Sequence, residues 1–156
     1  MSSLAEVDVA YRILQQAGTD DITLLHCTTS YPCPIDTVNL KAMQTLADAF
    51  HCPVGYSDHT IGDEVAIAAV ALGAVVVEKH FTLDVTMEGP DHAASTTPDD
   101  FTAMVQKIRH IEAALGNGIK LPSKKEIEIS QVVLKKIVAA QNIAKGEIFT
   151  ANNVSV

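Results

Sequence analysis

Short apolar runs alternate along this chain with amphipathic stretches, and that alternation restricts the fold more than any other feature. Ile22 to Cys27, Pro53 to Ser57 and Ala74 to His80 read as strands. The first follows an Asp pair and suits a strand buried on both faces, and the last is the most strand-like run in the chain. Between and around them lie helical patterns. Ser3 and Glu6 form a capping box, after which Leu4, Val7, Tyr11 and Leu14 recur at helical spacing until Gly18. Leu40, Met43, Leu46, Ala47 and Phe50 mark a second helix, and Asp63 to Leu72, closed by Gly73, a third. Thr97 as N-cap and Pro98 at the first helical position open a fourth, carried by Phe101, Met104, Ile108 and Leu115 to Gly116. Such alternation with short connections predicts an α/β fold whose parallel strands are joined by right-handed crossovers. An open doubly wound sheet and a piece of a closed barrel both satisfy it, and three strands are too few to close a barrel.

The pattern changes after Gly116. Residues 117–133, with Gly118, Pro122 and Ser123, read as a linker, and residues 134–156 as the start of a second module. There Ile137 to Ala140 and Glu147 to Thr150 look like strands flanking a turn at Lys145-Gly146. A hairpin alone is marginal in water, so this module reads as incomplete. No internal repeat or low-complexity tract interrupts the 156 residues.

Composition narrows the function classes. With 47% hydrophobic residues the chain has the makings of a packed core. Eleven Lys and Arg against 19 Asp and Glu leave a formal charge of −8, which gives no field for nucleic acid or an anionic membrane. The N-terminus lacks the basic start and apolar centre of a signal peptide, so a cytoplasmic location is expected. Cys27, Cys33 and Cys52 are too few to staple a secreted fold and lack CxxC spacing; they read as packing residues.

The polar residues gather where parallel strands end, the edge at which α/β folds place their sites. Period-two alternation puts Glu78 and His80 on one face of the third strand and Val77 and Lys79 on the other. Ser57 and His59 share a face at the end of the second strand if it stays extended, and Thr29 and Tyr31 do so after the first. Strand spacing of about 5 Å then allows two histidines and a carboxylate to converge, a geometry that suits Zn, Mn or Fe with positions left for water or substrate. Taken singly, a histidine at a strand end is more often solvated or hydrogen-bonded than a ligand. Asp91, in the turn signal Gly89-Pro90-Asp91, is as readily a turn residue as a functional carboxylate.

Four segments, His26-Cys27-Thr28-Thr29-Ser30-Tyr31-Pro32, Gly55-Tyr56-Ser57-Asp58-His59-Thr60, Glu78-Lys79-His80-Phe81-Thr82 and Gly89-Pro90-Asp91-His92, resemble in order and spacing the motifs of the sialic acid synthase family. The resemblance implies a phosphoenolpyruvate-dependent transferase that condenses phosphoenolpyruvate with an N-acylated amino sugar, such as N-acetylmannosamine, to a nonulosonic acid and phosphate. It implies a (β/α)8 barrel followed by an antifreeze-like (SAF) domain, in a domain-swapped homodimer. By the same resemblance His59 and His80 are ligands of a divalent metal, usually Mn with Mg or Co as substitutes. Glu78 would join them as catalytic, Glu78, Asp91 and Tyr31 would bind the sugar, and Ser57 and Thr29 would lie near phosphoenolpyruvate. Thr29 departs from the Asn or Ser of relatives, and Ala93 stands where many have Lys. Aligned in this way, Met1 falls at the end of the fifth barrel strand, so residues 1–116 would supply strands six to eight of a fragment that is inactive alone. The other readings are a non-catalytic half-barrel serving assembly, and an unrelated metal-dependent aldolase or lyase.

Overall fold

The computed structural model describes residues 1–156, which divide into two compact units, Met1–Asn117 and Gly118–Val156. The first unit holds α1 (Leu4–Gln16), β1 (Leu24–Cys27), α2 (Ala42–Phe50), β2 (Val54–Asp58), α3 (Glu64–Ala71), β3 (Val77–Lys79) and α4 (Pro98–Leu115). Its three strands are parallel in the order β1-β2-β3, with Cys27 opposite Ser57 and Ser57 opposite Glu78.

Local chemistry explains the boundaries. Ser3 and Glu6 close the expected capping box, and Thr97 accepts from the Asp100 amide with Pro98 in the first turn of α4. Helix α2 starts later than the apolar spacing suggested, because Asn39 takes a positive φ of 51° just before Leu40. Strands β1 and β3 are shorter than their apolar runs. Ile22 is nonetheless buried, and Val75 and Val76 still reach β2 through Val75 N–H to Val54 O and Tyr56 N–H to Val76 O, both 2.9 Å.

The core is layered. Val54 and Tyr56, on one face of β2, pack with Cys33, Val38, Met43, Val65 and Ala69; a second cluster joins Ala66 and Val70 of α3 to Met104 and Ile108 of α4. Helices therefore cover the Val54-Tyr56-Asp58 face, and alternation turns Ser57 to the other. Cys33 is a buried packing residue, as expected.

In the second unit two expectations are corrected. The segment read as linker carries a helix, α5 (Lys124–Val133), opened by a capping box between Ser123 and Glu126. The strand expected at Glu147 to Thr150 is absent: β4 (Val138–Ala139) pairs antiparallel with β5 (Val154–Ser155). Side chains take the hydrogen bonds that a ladder would need. Buried Asn153 accepts from the Thr150 amide at 2.7 Å and donates to Ile148 O at 3.0 Å, while Glu147 accepts from the Ala144 amide at 2.9 Å. No helix is long and apolar enough to cross a membrane.

Candidate functional site

Three aromatic rings meet beyond the ends of the parallel strands. His59 directly follows β2 and His80 directly follows β3, and their ring centroids stand 5.1 Å apart, edge to face. Tyr31, on the loop after β1, lies 4.2 Å from the His80 ring and 5.2 Å from that of His59. The histidine backbones are fixed as well, since His59 O accepts from the Cys33 amide at 2.7 Å and His80 O from the Thr96 amide at 2.8 Å.

Around the rings the carboxylates are anchored unequally. Ser57 Oγ donates to Glu78 Oε2 at 2.5 Å, which ties the acid to its neighbour across the β2–β3 ladder. Asp91 Oδ2 is 3.9 Å from His80 Nδ1, an electrostatic contact rather than a hydrogen bond. The Tyr31 hydroxyl lies 3.1 Å from Ser95 Oγ. Thr29 is exposed and joins none of these contacts.

The chemistry of the donors fits one divalent ion. An imidazole nitrogen binds such an ion at about 2 Å, so two rings on adjacent corners of its coordination sphere stand about 5 Å apart, close to the 5.1 Å observed. No group of three or more His, Cys, Asp or Glu side chains converges into a closed cage. The two imidazoles would therefore leave most positions to water or an oxygen-rich ligand, as catalytic rather than structural sites do.

Strand alternation brought Thr29, Tyr31, Ser57, His59, Glu78 and His80 to one strand-end edge, and the resemblance added Asp91. The structure joins Tyr31, His59, His80 and Asp91 in one group of contacts and Ser57 with Glu78 in another, and Thr29 takes part in neither. Sequence reasoning missed Cys27, whose Sγ lies 3.8 Å from His59 Nε2, and Ser95 beneath Tyr31. Cys27 was within reach, because counting back two residues from Thr29 puts it on the same face. Ser95 gave no signal, since only the loop after β3 carries it to Tyr31. Lys79, read as facing away, forms a buried ion pair with Asp58 at 2.8 Å on the helix-covered side.

A parallel α/β sheet with two histidines at its strand tips places the chain in the class of barrel-type or doubly wound α/β proteins, and comparison with known proteins narrows it. Residues 1–120 match the NeuB family model, and the chain belongs to that family. It is 52% identical to the N,N'-diacetyllegionaminic acid synthase of Campylobacter jejuni over 99% of its own length and 47% of the relative's. The Legionella pneumophila enzyme of the same name is 47% identical over 94% of this chain and 42% of that one. The solved N-acetylneuraminic acid (sialic acid) synthetase of Leptospira borgpetersenii superposes with a TM-score of 0.74 at 36% identity, covering 87% of this chain and 48% of that one. The chain thus spans about half the length of the relatives it matches, and its family sets aside an unrelated aldolase or lyase.

Proposed function

We propose that this chain carries the metal-binding side of a synthase that condenses phosphoenolpyruvate with an open-chain N,N'-diacetylated or related N-acylated amino sugar, giving a nonulosonic acid and phosphate. The observation that carries the reading is the His59–His80 pair, 5.1 Å apart at the tips of adjacent parallel strands, in a chain of the NeuB family. The 52% identity to a legionaminic acid synthase favours a diacetylated sugar. In this reading β1, β2 and β3 are strands six to eight of a (β/α)8 barrel and residues 134–156 open an antifreeze-like module, the whole acting as a homodimer.

The residues divide the work. His59 and His80 would hold a divalent ion, Mn first among Mn, Mg and Co, which when bound supplies Lewis-acid polarisation of the sugar's aldehyde oxygen. The enol carbon of phosphoenolpyruvate attacks the aldehyde carbon, water adds to the resulting oxocarbenium carbon, and the C–O bond to phosphate breaks. Glu78, held by Ser57, faces that centre as a carboxylate able to accept a hydrogen bond from a sugar hydroxyl or from the attacking water. Tyr31 stacks on His80 and turns its hydroxyl to Ser95, which fixes the imidazole from one side. Asp91 stands within reach of the sugar's amide or hydroxyl donors, and the Thr29 hydroxyl can serve phosphoenolpyruvate in place of an amide. The gathering of these polar groups near the strand ends favours catalysis over a purely structural half-barrel.

A chimera tests the reading: this chain replaces the aligned 47% of the Campylobacter synthase, and phosphate release and product mass are followed with phosphoenolpyruvate and diacetylated sugar. Mn-dependent condensation is expected, with His59→Ala or His80→Ala lowering kcat by about a thousandfold or more. A folded chimera that releases no phosphate refutes it.

A further inference from the structure

The ladder between β2 and β3 ends at Asp58 opposite Lys79, one residue short of each histidine. Beyond that point no strand pairing holds the two imidazoles in register. On the helix-covered face, however, Lys79 Nζ donates to Asp58 Oδ2 at 2.8 Å and to Thr60 O at 2.6 Å. Asp58 Oδ1 accepts from both the amide and the hydroxyl of Thr60, at 2.9 and 2.8 Å. His59 is therefore bracketed by two residues tied to each other and to the neighbour of His80.

The charges are almost wholly out of water, with side-chain exposures of 3% for Lys79 and 0% for Asp58. Buried ion pairs are poor stabilisers compared with apolar residues of the same volume, and their best-attested use is to fix one geometry among several. Here that geometry is the relative position of two strand tips. We propose that Asp58, Lys79 and Thr60 form a positioning clamp, which sets the spacing of His59 and His80 through the backbone and so tunes their affinity for the divalent ion. The inference rests on the reading of those imidazoles as the metal site; none of the three clamp residues touches the ion or the reacting atoms.

The test uses the 156-residue chain, with Mn²⁺ affinity read from the electron paramagnetic resonance of free Mn²⁺ and ring placement from the nuclear Overhauser effect between the His59 and His80 ring protons. The variant Asp58→Asn/Lys79→Met removes both charges and keeps an acceptor for Thr60. It is expected to keep its circular dichroism and thermal midpoint, to lose the ring-to-ring effect and to bind Mn²⁺ about 10- to 100-fold more weakly, as removal of partners behind metal ligands does. Thr60→Val, which deletes one hydrogen bond and little volume, should shift affinity in the same direction by less. Wild-type affinity and an intact ring-to-ring effect in a folded double variant overturn the clamp; if the double variant does not fold, the same result in Thr60→Val overturns it. A wild-type chain that binds no Mn²⁺ refutes the metal reading instead, and the ring-to-ring effect alone then decides the clamp.

Discussion

The Tyr56 hydroxyl is enclosed in the core without a hydrogen-bond partner, although its ring packs well among Cys33, Val38 and Met43. Burial pushes the phenol well above its ordinary pKa, with Asp58 adding to the effect, so it stays protonated and its donor unused. An unsatisfied buried donor costs about 1–3 kcal/mol, and Tyr56→Phe is expected to leave stability unchanged or raise it by about 1 kcal/mol. Urea unfolding decides this, and a loss of stability would mean that the hydroxyl has an ordered partner. At this scale the sequence was most legible where parity governs: Ser57, His59, Glu78 and His80 lie on one face because strand side chains alternate. It was least legible where a contact depends on loop path, as with Ser95 under Tyr31, or where charge is hidden. Lys79 and Asp58 are charged residues at strand ends, and nothing in their spacing distinguishes a buried pair from a solvated one.

At the level of elements, β2 carries a glycine for a reason that alternation does not reveal. A Cβ on Gly55 would sit 2.5 Å from Val76 O and 3.0 Å from Val76 Cβ, so β3 can approach β2 only where residue 55 has no side chain. Gly55→Ala is expected to destabilise the first unit by about 1–3 kcal/mol through overpacking. It should also separate the histidines, seen as a lost His59–His80 ring-to-ring effect in a variant still folded by circular dichroism. The helix starts respond to pH in a defined direction. In α1 the Ser3 amide and hydroxyl donate to Glu6, and in α5 Ser123 does the same for Glu126; these bonds lower each carboxyl below its ordinary value of 4.5. A depressed carboxyl stabilises the folded form above the unfolded pKa, and that contribution is lost as pH falls through the lower folded value. Carboxyl carbon shifts of Glu6 and Glu126 should therefore titrate below pH 4.5, with the Ser3 and Ser123 amides following; inflections at or above that value would mean that the boxes are open in solution. Capping chemistry was readable in the sequence for α1 and α4. The Ser123-x-x-Glu126 box was equally present, but the Pro and Gly around it dominated the reading as linker. The failed strand at Glu147 has a different cause, because Asn153 acts from outside the window that periodicity samples.

For the molecule as a whole, the order β1-β2-β3 leaves the outer edges of β1 and β3 without ladder partners. Apolar side chains stand open beside those edges, with Leu25 at 38%, Val76 at 42% and Phe81 at 53% of full exposure. An alternating α/β pattern was enough to give the parallel sheet, but the count of strands and the edges they leave follow from how much of a barrel or sheet a chain supplies. Unpaired edges with apolar neighbours are templates for pairing with another chain. Burial returns about 25 cal/mol per Å² of apolar surface, so even a few hundred Å² covered by another copy offsets several kcal/mol of association entropy. The chain alone is expected to self-associate at micromolar concentration. Leu25→Lys, which places a charge on the β1 edge strand, should shift sedimentation toward monomer while leaving the His59–His80 ring-to-ring effect intact. A compact wild-type monomer that unfolds cooperatively would show instead that α1, with Leu4 and Val7 facing the hollow beside Leu25 and Cys27, protects the β1 edge well enough to make the unit self-sufficient.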